Sequence, residues 1–201
     1  MTDHLERVRQ IFDEHPVVAQ RSRESLMAEV EALGVALADA VEGGGKLIVF
    51  GNGGSAADAQ HFAAELTGHF AMERAPLPAI ALTTDSSALT AIANDYSFTD
   101  VFARQATALA TAGDVAVGIS TSGRAQNVIR GIEAAGACGA ATWALTGGTG
   151  GRLREVADRS IVVPSDVTAR IQEMHITIIH AVCTLLDARL ASGRDGEETA
   201  G

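Results

Sequence analysis

The chain has 201 residues, 47% of them hydrophobic and 20% charged, with a formal net charge of −10 at pH 7. That length suits one domain with a sizeable core, and the acidic balance, with Lys46 as the single lysine, gives no electrostatic footprint for nucleic acid. No apolar run approaches the roughly 20 residues of a membrane span, and the N-terminal stretch is too charged for a signal peptide, so a cytoplasmic protein with no membrane partner is expected.

Leu5, Val8, Ile11 and Phe12 share one helical face, Pro16 interrupts the pattern, and a second helix reads from Val17 to Val41 before Gly43-Gly44-Gly45 stops it. Two N-terminal helices are therefore predicted. Next come a strand over 46–50, a helix over 55–70, a strand over 79–82 and helical segments near 86–93 and 98–110. A strand over 114–119, a helix over 124–137, strands over 140–145 and 160–163, and a helix over 168–191 follow. Such alternation marks an α/β fold with a parallel sheet covered on both faces. Residues 1–192 read as one domain, with 1–43 as its helical entry, and the Gly- and acid-rich stretch 193–201 reads as a disordered tail. Cys138 and Cys183 show no C-x-x-C spacing and fall in apolar helical contexts, which points to reduced, buried thiols.

Gly51-Asn52-Gly53-Gly54-Ser55 lies between a strand and a helix, where glycines let backbone N–H groups approach an anion and Ser55 is placed to cap the helix. Its fit to G-x-G-x-x-A invokes a dinucleotide site. However, the first acidic residue after the strand 79–82 is Asp85, well beyond the spacing that fingerprint needs. The arrangement recurs at Ser120-Thr121-Ser122-Gly123, whose hydroxyls and N–H groups suit a sugar phosphate. His61 and Glu65 are four apart on the helix that the first loop opens, either as a surface pair or as site residues. Gln172, Ile176 and His180 follow four-residue steps on the last helix. Were the two helices to meet, two imidazoles, a carboxylate and an amide would form a donor set for Zn²⁺.

These residues resemble the phosphoheptose isomerases, which are sugar isomerase (SIS) domain proteins. The resemblance rests on Gly51-Asn52-Gly53-Gly54-Ser55, His61-Phe62-Ala63-Ala64-Glu65-Leu66-Thr67-Gly68 and Ala93-Asn94-Asp95-Tyr96. It extends through Gly118-Ile119-Ser120-Thr121-Ser122-Gly123, Leu145-Thr146-Gly147, Arg170-Ile171-Gln172-Glu173 and His180. It implies a three-layer sandwich with a five-stranded parallel sheet, assembled as a homotetramer through the N-terminal helices with active sites at subunit interfaces. It also implies conversion of sedoheptulose 7-phosphate to D-glycero-D-manno-heptose 7-phosphate, or a C2-related aldoheptose 7-phosphate, through an enediol, for nucleotide-activated heptose biosynthesis. In this resemblance Glu65 is the base and His180 the acid, and His61, Glu65, Gln172 and His180 hold one Zn²⁺ per subunit. Ser120, Thr121 and Ser122 grip the phosphate, while Asn52, Gly53, Gly54, Ser55, Glu65, Asn94, Asp95 and Gln172 meet the sugar.

The chain departs from the family at Ala125, where a serine is common, at Ala169, where some members have aspartate, and at His69, where some have arginine. Arg124 offers a charge beside the missing serine hydroxyl. The alternative is a non-catalytic SIS protein that binds the replication initiator, with a similar Arg170-to-His175 segment. His180 and the intact Gly53-Gly54-Ser55 loop distinguish this chain from it.

Overall fold

Every residue of the run Leu47–Gly51 is buried, and the run forms strand β1, as a segment covered by helices on both faces should. The computed structural model describes residues 2–191, and the expected tail over 193–201 lies outside them. Helix α1 (Thr2–Glu42) precedes β1, and α2 (Gly54–Thr67), β2 (Ala79–Ala81) and α3 (Ser86–Asp95) follow it. A 3₁₀ turn at Phe98–Asp100 leads into α4 (Val101–Leu109), β3 (Val115–Ser120), α5 (Gln126–Ala137) and β4 (Ala141–Gly147). The short α6 (Gly151–Val156), β5 (Arg159–Val163) and α7 (Thr168–Ala191) complete the order.

One expectation fails at the start, because α1 runs unbroken through Pro16. Proline removes the bond to the carbonyl four residues back, here that of Phe12. Residues 3–17 are all exposed, so water can serve that carbonyl. Arg170 adds a tether from α7, its Nη1 donating to the Ile11 carbonyl at 2.7 Å. The apolar face predicted for this stretch exists, yet nothing within the subunit covers it: Phe12 is 75% and Leu5 56% exposed.

The five strands are parallel in the order β2-β1-β3-β4-β5. Alternation along β1 sends Leu47 and Val49 into a core with α1, α2 and α7, and Ile48 and Phe50 into a second core with α4 and α5. Phe50 stacks on Phe102 with ring centroids 5.1 Å apart. Gly118 of β3 lets α5 close in, since a Cβ there would stand 2.7 Å from Ile132.

Two latches tie the N-terminal ends of the strands. Lys46 donates through its backbone N at 2.9 Å and its Nζ at 2.7 Å to the Asp114 carboxylate, which also takes the Thr111 N–H. Thr142 donates through N and Oγ1 to Asp158 Oδ2, and the Asp158 N–H returns a bond to Thr142 Oγ1. At the opposite, carboxyl end, the strand order reverses between β1 and β3. A ligand crevice in an open parallel sheet forms at such a switch point.

Candidate active site

The loops leaving β1 and β3 flank that switch point. The first turns at Gly53, whose φ of +56° favours glycine, and α2 begins at Gly54. Ser55 is therefore inside the helix rather than its cap, correcting the sequence expectation. The turn starts the helix one residue sooner, and Ser55 is buried, its Cβ 2.7 Å from where a Gly51 Cβ would stand. From this start α2 carries Asp58, His61 and Glu65.

Helices α2 and α7 do meet, which sequence alone left open. His61 Nε2 lies 2.9 Å from His180 Nε2, and 3.5 Å from Glu65 Oε1. The two imidazoles pack edge to face, and Phe70 lies tilted against the His180 ring at 5.4 Å between centroids. Two turns back along α7 from His180, the Gln172 amide sits over Gly54, its Nε2 2.2 Å from where a Cβ would be. Only glycine leaves room for it there.

Two imidazoles, a carboxylate and an amide form a donor set that Zn²⁺ accepts. The facing Nε2 atoms stand a little inside the roughly 3.3 Å that two nitrogens keep around a tetrahedral zinc. Among the described residues no three His, Cys, Asp or Glu side chains form a closed cage. The donor chemistry thus fits the ion, while the carboxylate approach seen here is to His61 alone.

The end of α2 is fixed by a buried ion pair. Arg74 Nε donates to Asp187 Oδ1 at 2.7 Å, and its other nitrogens cap the carbonyls of Glu65 and Leu66 at 2.7 and 3.0 Å. Burial alone would raise the Asp187 carboxyl. The Ala71 N–H, Arg74 and the Met72 N–H outweigh that and hold it below its ordinary value. Cys183, packed nearby, is pushed up to about 12 by burial and by the charges of Glu65 and Asp187.

At the second loop, Thr121, Ser122 and Arg124 line a cavity of about 180 Å³ closed by Gly148, Thr149, Thr168 and the acidic Asp166. Ser120 is buried behind it at the end of β3. The N-cap of α5 is Ala125, which offers no side-chain cap to the N–H groups of Gln126 and Asn127 beside the loop, while the Val128 N–H is engaged by the Ala125 carbonyl and Asn127 Oδ1. Gly123, at φ +63°, would bring a Cβ to 1.9 Å from the Gly150 carbonyl, so the loop seats directly on the start of α6.

Asn94 and Asp95 are not brought to this crevice. They lie exposed at the end of α3, where Asn94 Nδ2 donates to Asp95 Oδ1 at 2.8 Å. Asn52 is in the crevice, but its amide is engaged with Asn127 of α5. His69 and Ala169 are exposed.

The SIS domain family matches residues 11–147. The phosphoheptose isomerase of Aquifex aeolicus is 51% identical over 183 residues, covering 91% of this chain and 96% of that protein. A probable phosphoheptose isomerase of Thermoplasma acidophilum is 58% identical over 171 residues, 84% of this chain and 93% of that one. The chain belongs to the SIS-domain phosphoheptose isomerase family. Solved family structures superpose on most of it. That from Neisseria gonorrhoeae has a TM-score of 0.87 at 46% identity, and that from Francisella tularensis 0.89 at 38%, each covering 92% of this chain and 98% of the other. The initiator-binding alternative finds no support among these relatives.

Sequence reasoning missed two residues that the family fold brings into the crevice. Asp58 is buried, with its Oδ2 lacking a hydrogen-bond partner. Burial raises its carboxyl above the ordinary value, against the pull of Gln172 and His61. Its position three residues before His61 on α2 was the available signal. Asn127 is 3% exposed, and its partner comes from a loop 75 residues away, so no local pattern announces it.

Proposed function

We propose that this protein interconverts sedoheptulose 7-phosphate and D-glycero-D-manno-heptose 7-phosphate, or a C2-related aldoheptose 7-phosphate, in the making of nucleotide-activated heptose. The observation that carries this reading is the approach of Glu65 to His61, itself paired with His180, beside a separate hydroxyl-lined cavity that also holds Arg124. One end of the crevice is equipped to move protons and the other to hold a phosphate.

In the ketose-to-aldose direction, Glu65 takes a proton from C1. The C–H electron pair becomes the C1=C2 bond, and the C2 oxygen takes a proton from His180. The enediol collapses when His180 recovers a proton from the C1 hydroxyl and Glu65 returns its proton to C2. Proton transfer by a positioned carboxylate and imidazole contributes about 10² to 10⁴ each to such a step. Ser120, Thr121, Ser122, Arg124 and the uncapped start of α5 hold the phosphate. Asn52, Gly53, Gly54, Ser55 and Gln172 face the sugar, and Asn94 and Asp95 reach a sugar held by a neighbouring copy. One Zn²⁺ per subunit, held by His61, Glu65, Gln172 and His180, would supply Lewis-acid polarisation of the sugar oxygens.

The assembly proposed is a homotetramer, supported by the uncovered apolar stripe along α1, from Leu5 to Val17. The cytoplasm is the proposed location, where Cys138 and Cys183, both free, stay reduced.

The test is solvent exchange at the substrate C1 hydrogens, followed by NMR in D₂O with sedoheptulose 7-phosphate and added Zn²⁺. Exchange and aldose formation are expected in the native protein, and both should vanish in Glu65→Gln and His180→Gln. Stripping the ion with a chelator should lower turnover. No exchange in the metal-replete native protein would overturn the proposal.

A further inference from the structure

The amides of Asn52 and Asn127 face each other in a closed pair. Asn52 Nδ2 donates to Asn127 Oδ1 at 2.8 Å, and Asn127 Nδ2 donates to Asn52 Oδ1 at 2.8 Å. Asn52 belongs to the loop after β1 and Asn127 to the first turn of α5, so this pair clasps together the two loops that flank the crevice.

Taken alone, such a pair is ambiguous, because turning both amides over would preserve both bonds. A third bond removes the ambiguity. The backbone N–H of Val128, shared with the Ala125 carbonyl at 3.1 Å, donates to Asn127 Oδ1 at 3.0 Å, and an amide NH₂ turned to that position would face this N–H donor to donor. This fixes the orientation of Asn127, and through it that of Asn52. Asn127 Oδ1 then has both lone pairs engaged. Asn52 retains one N–H and one lone pair, both turned away from its partner. Asn52 is half-buried and Asn127 is 3% exposed, so the residue with capacity to spare is the one facing the crevice.

We infer that Asn127 is a positioning residue for the isomerisation. Without touching substrate, it dictates which donor and which acceptor Asn52 presents to a sugar hydroxyl, and it holds the sugar loop in register with the phosphate loop. The inference rests on the isomerase reading and deepens it. Because the reacting carbons and the phosphate lie at opposite ends of one substrate, a relaxed clasp lets each loop bind its own group while the reacting carbons drift from Glu65. A displacement of about 1 Å is enough to cost on the order of 10²-fold in rate.

The experiment uses Asn52→Ala, Asn127→Ala and the double variant in the full-length chain, with sedoheptulose 7-phosphate as substrate and inorganic phosphate as competing ligand. Asn127→Ala should lower kcat/KM by about 10- to 100-fold, mainly through kcat. It should change the inhibition constant of inorganic phosphate by less than about threefold, since the phosphate donors remain. The double variant should be no more than about threefold worse than Asn52→Ala alone, because two residues acting as a unit are non-additive. Losses that multiply in the double variant, or an unchanged kcat/KM in Asn127→Ala, would overturn the inference.

Asn127→Asp, almost the same shape, covers the case in which the alanine variant does not fold. It keeps the acceptor for Val128 but turns an oxygen toward Asn52 Oδ1, so it too should lose at least about tenfold, and full activity in it would overturn the inference. Turnover of the native protein separates the two ideas. An inactive native protein refutes the isomerase reading, whereas an active one with active Asn127 variants refutes the clasp.

Discussion

His175 makes acid a specific threat to this fold. The imidazole is fully buried on α7, with Nε2 3.2 Å from the Thr146 carbonyl and Nδ1 without a partner. It is therefore held as the neutral Nε2–H tautomer, because a second proton on Nδ1 would meet no acceptor. Burial outweighs the help of the Thr146 bond and lowers its pKa from 6.5 to about 4. Between those values the unfolded chain binds the proton and the folded chain does not, so stability falls as pH drops through that window.

The loss amounts to about 2 kcal/mol between pH 8 and pH 5, approaching about 3 kcal/mol below pH 4. Asp114, Glu173 and Asp187, whose carboxyls are held below their ordinary values, lose their contributions mainly at lower pH. Asp58, raised by burial, acts in the opposite sense, its cost relieved on acidification. Urea unfolding followed by circular dichroism at pH 7.5 and 5.0, at one fixed protein concentration, isolates the histidine when native protein and His175→Gln are compared. The glutamine can still donate to Thr146 but does not titrate. The native protein should lose about 2 kcal/mol more than the variant over that interval. Equal losses would refute the reasoning, showing that the pocket accepts the second proton at no cost.

Three further outcomes are expected. Gly54→Ala should fold normally yet lose at least about tenfold in isomerisation, because its Cβ would displace the Gln172 amide now 2.2 Å away; steady-state kinetics and a thermal melt together check this. Arg74→Met should destabilise by about 3 to 5 kcal/mol, read as a lowered urea midpoint, since it leaves Asp187 charged and buried without its partner. Native protein should react with a thiol reagent at no more than Cys138, and unfolded protein at both cysteines, because Cys183 is buried and its thiol is pushed up to about 12.

What the sequence disclosed follows a physical divide between local and non-local signals. The strands at 46–50 and 114–119 fall within about a residue of β1 and β3, because burial on both faces leaves a continuous apolar run that any reading detects. The His61/Glu65 and Gln172/His180 spacings were legible as helical faces, but their meeting is a consequence of topology. Pro16 misled because a rule about helix interiors was applied to an exposed stretch, where the orphaned carbonyl has water. The short α6 has too few residues for a period to show. His175 and Asp58 depend on burial that only the packed fold reveals. Ser55 misled because the positive-φ turn at Gly53 places the helix cap there, two residues before the hydroxyl that the usual capping preference would choose.

The latches Lys46–Asp114 and Thr142–Asp158 stand at the opposite end of the strands from the crevice. The sheet thus separates two kinds of evolutionary freedom. Substitutions near the latches trade in folding energy alone, while those at the carboxyl ends trade in chemistry, so the usual conflict between robustness and activity is weakened. Lys46 is also the sole lysine, so the single side-chain amine of the chain is spent on a latch at the end of the sheet away from the crevice.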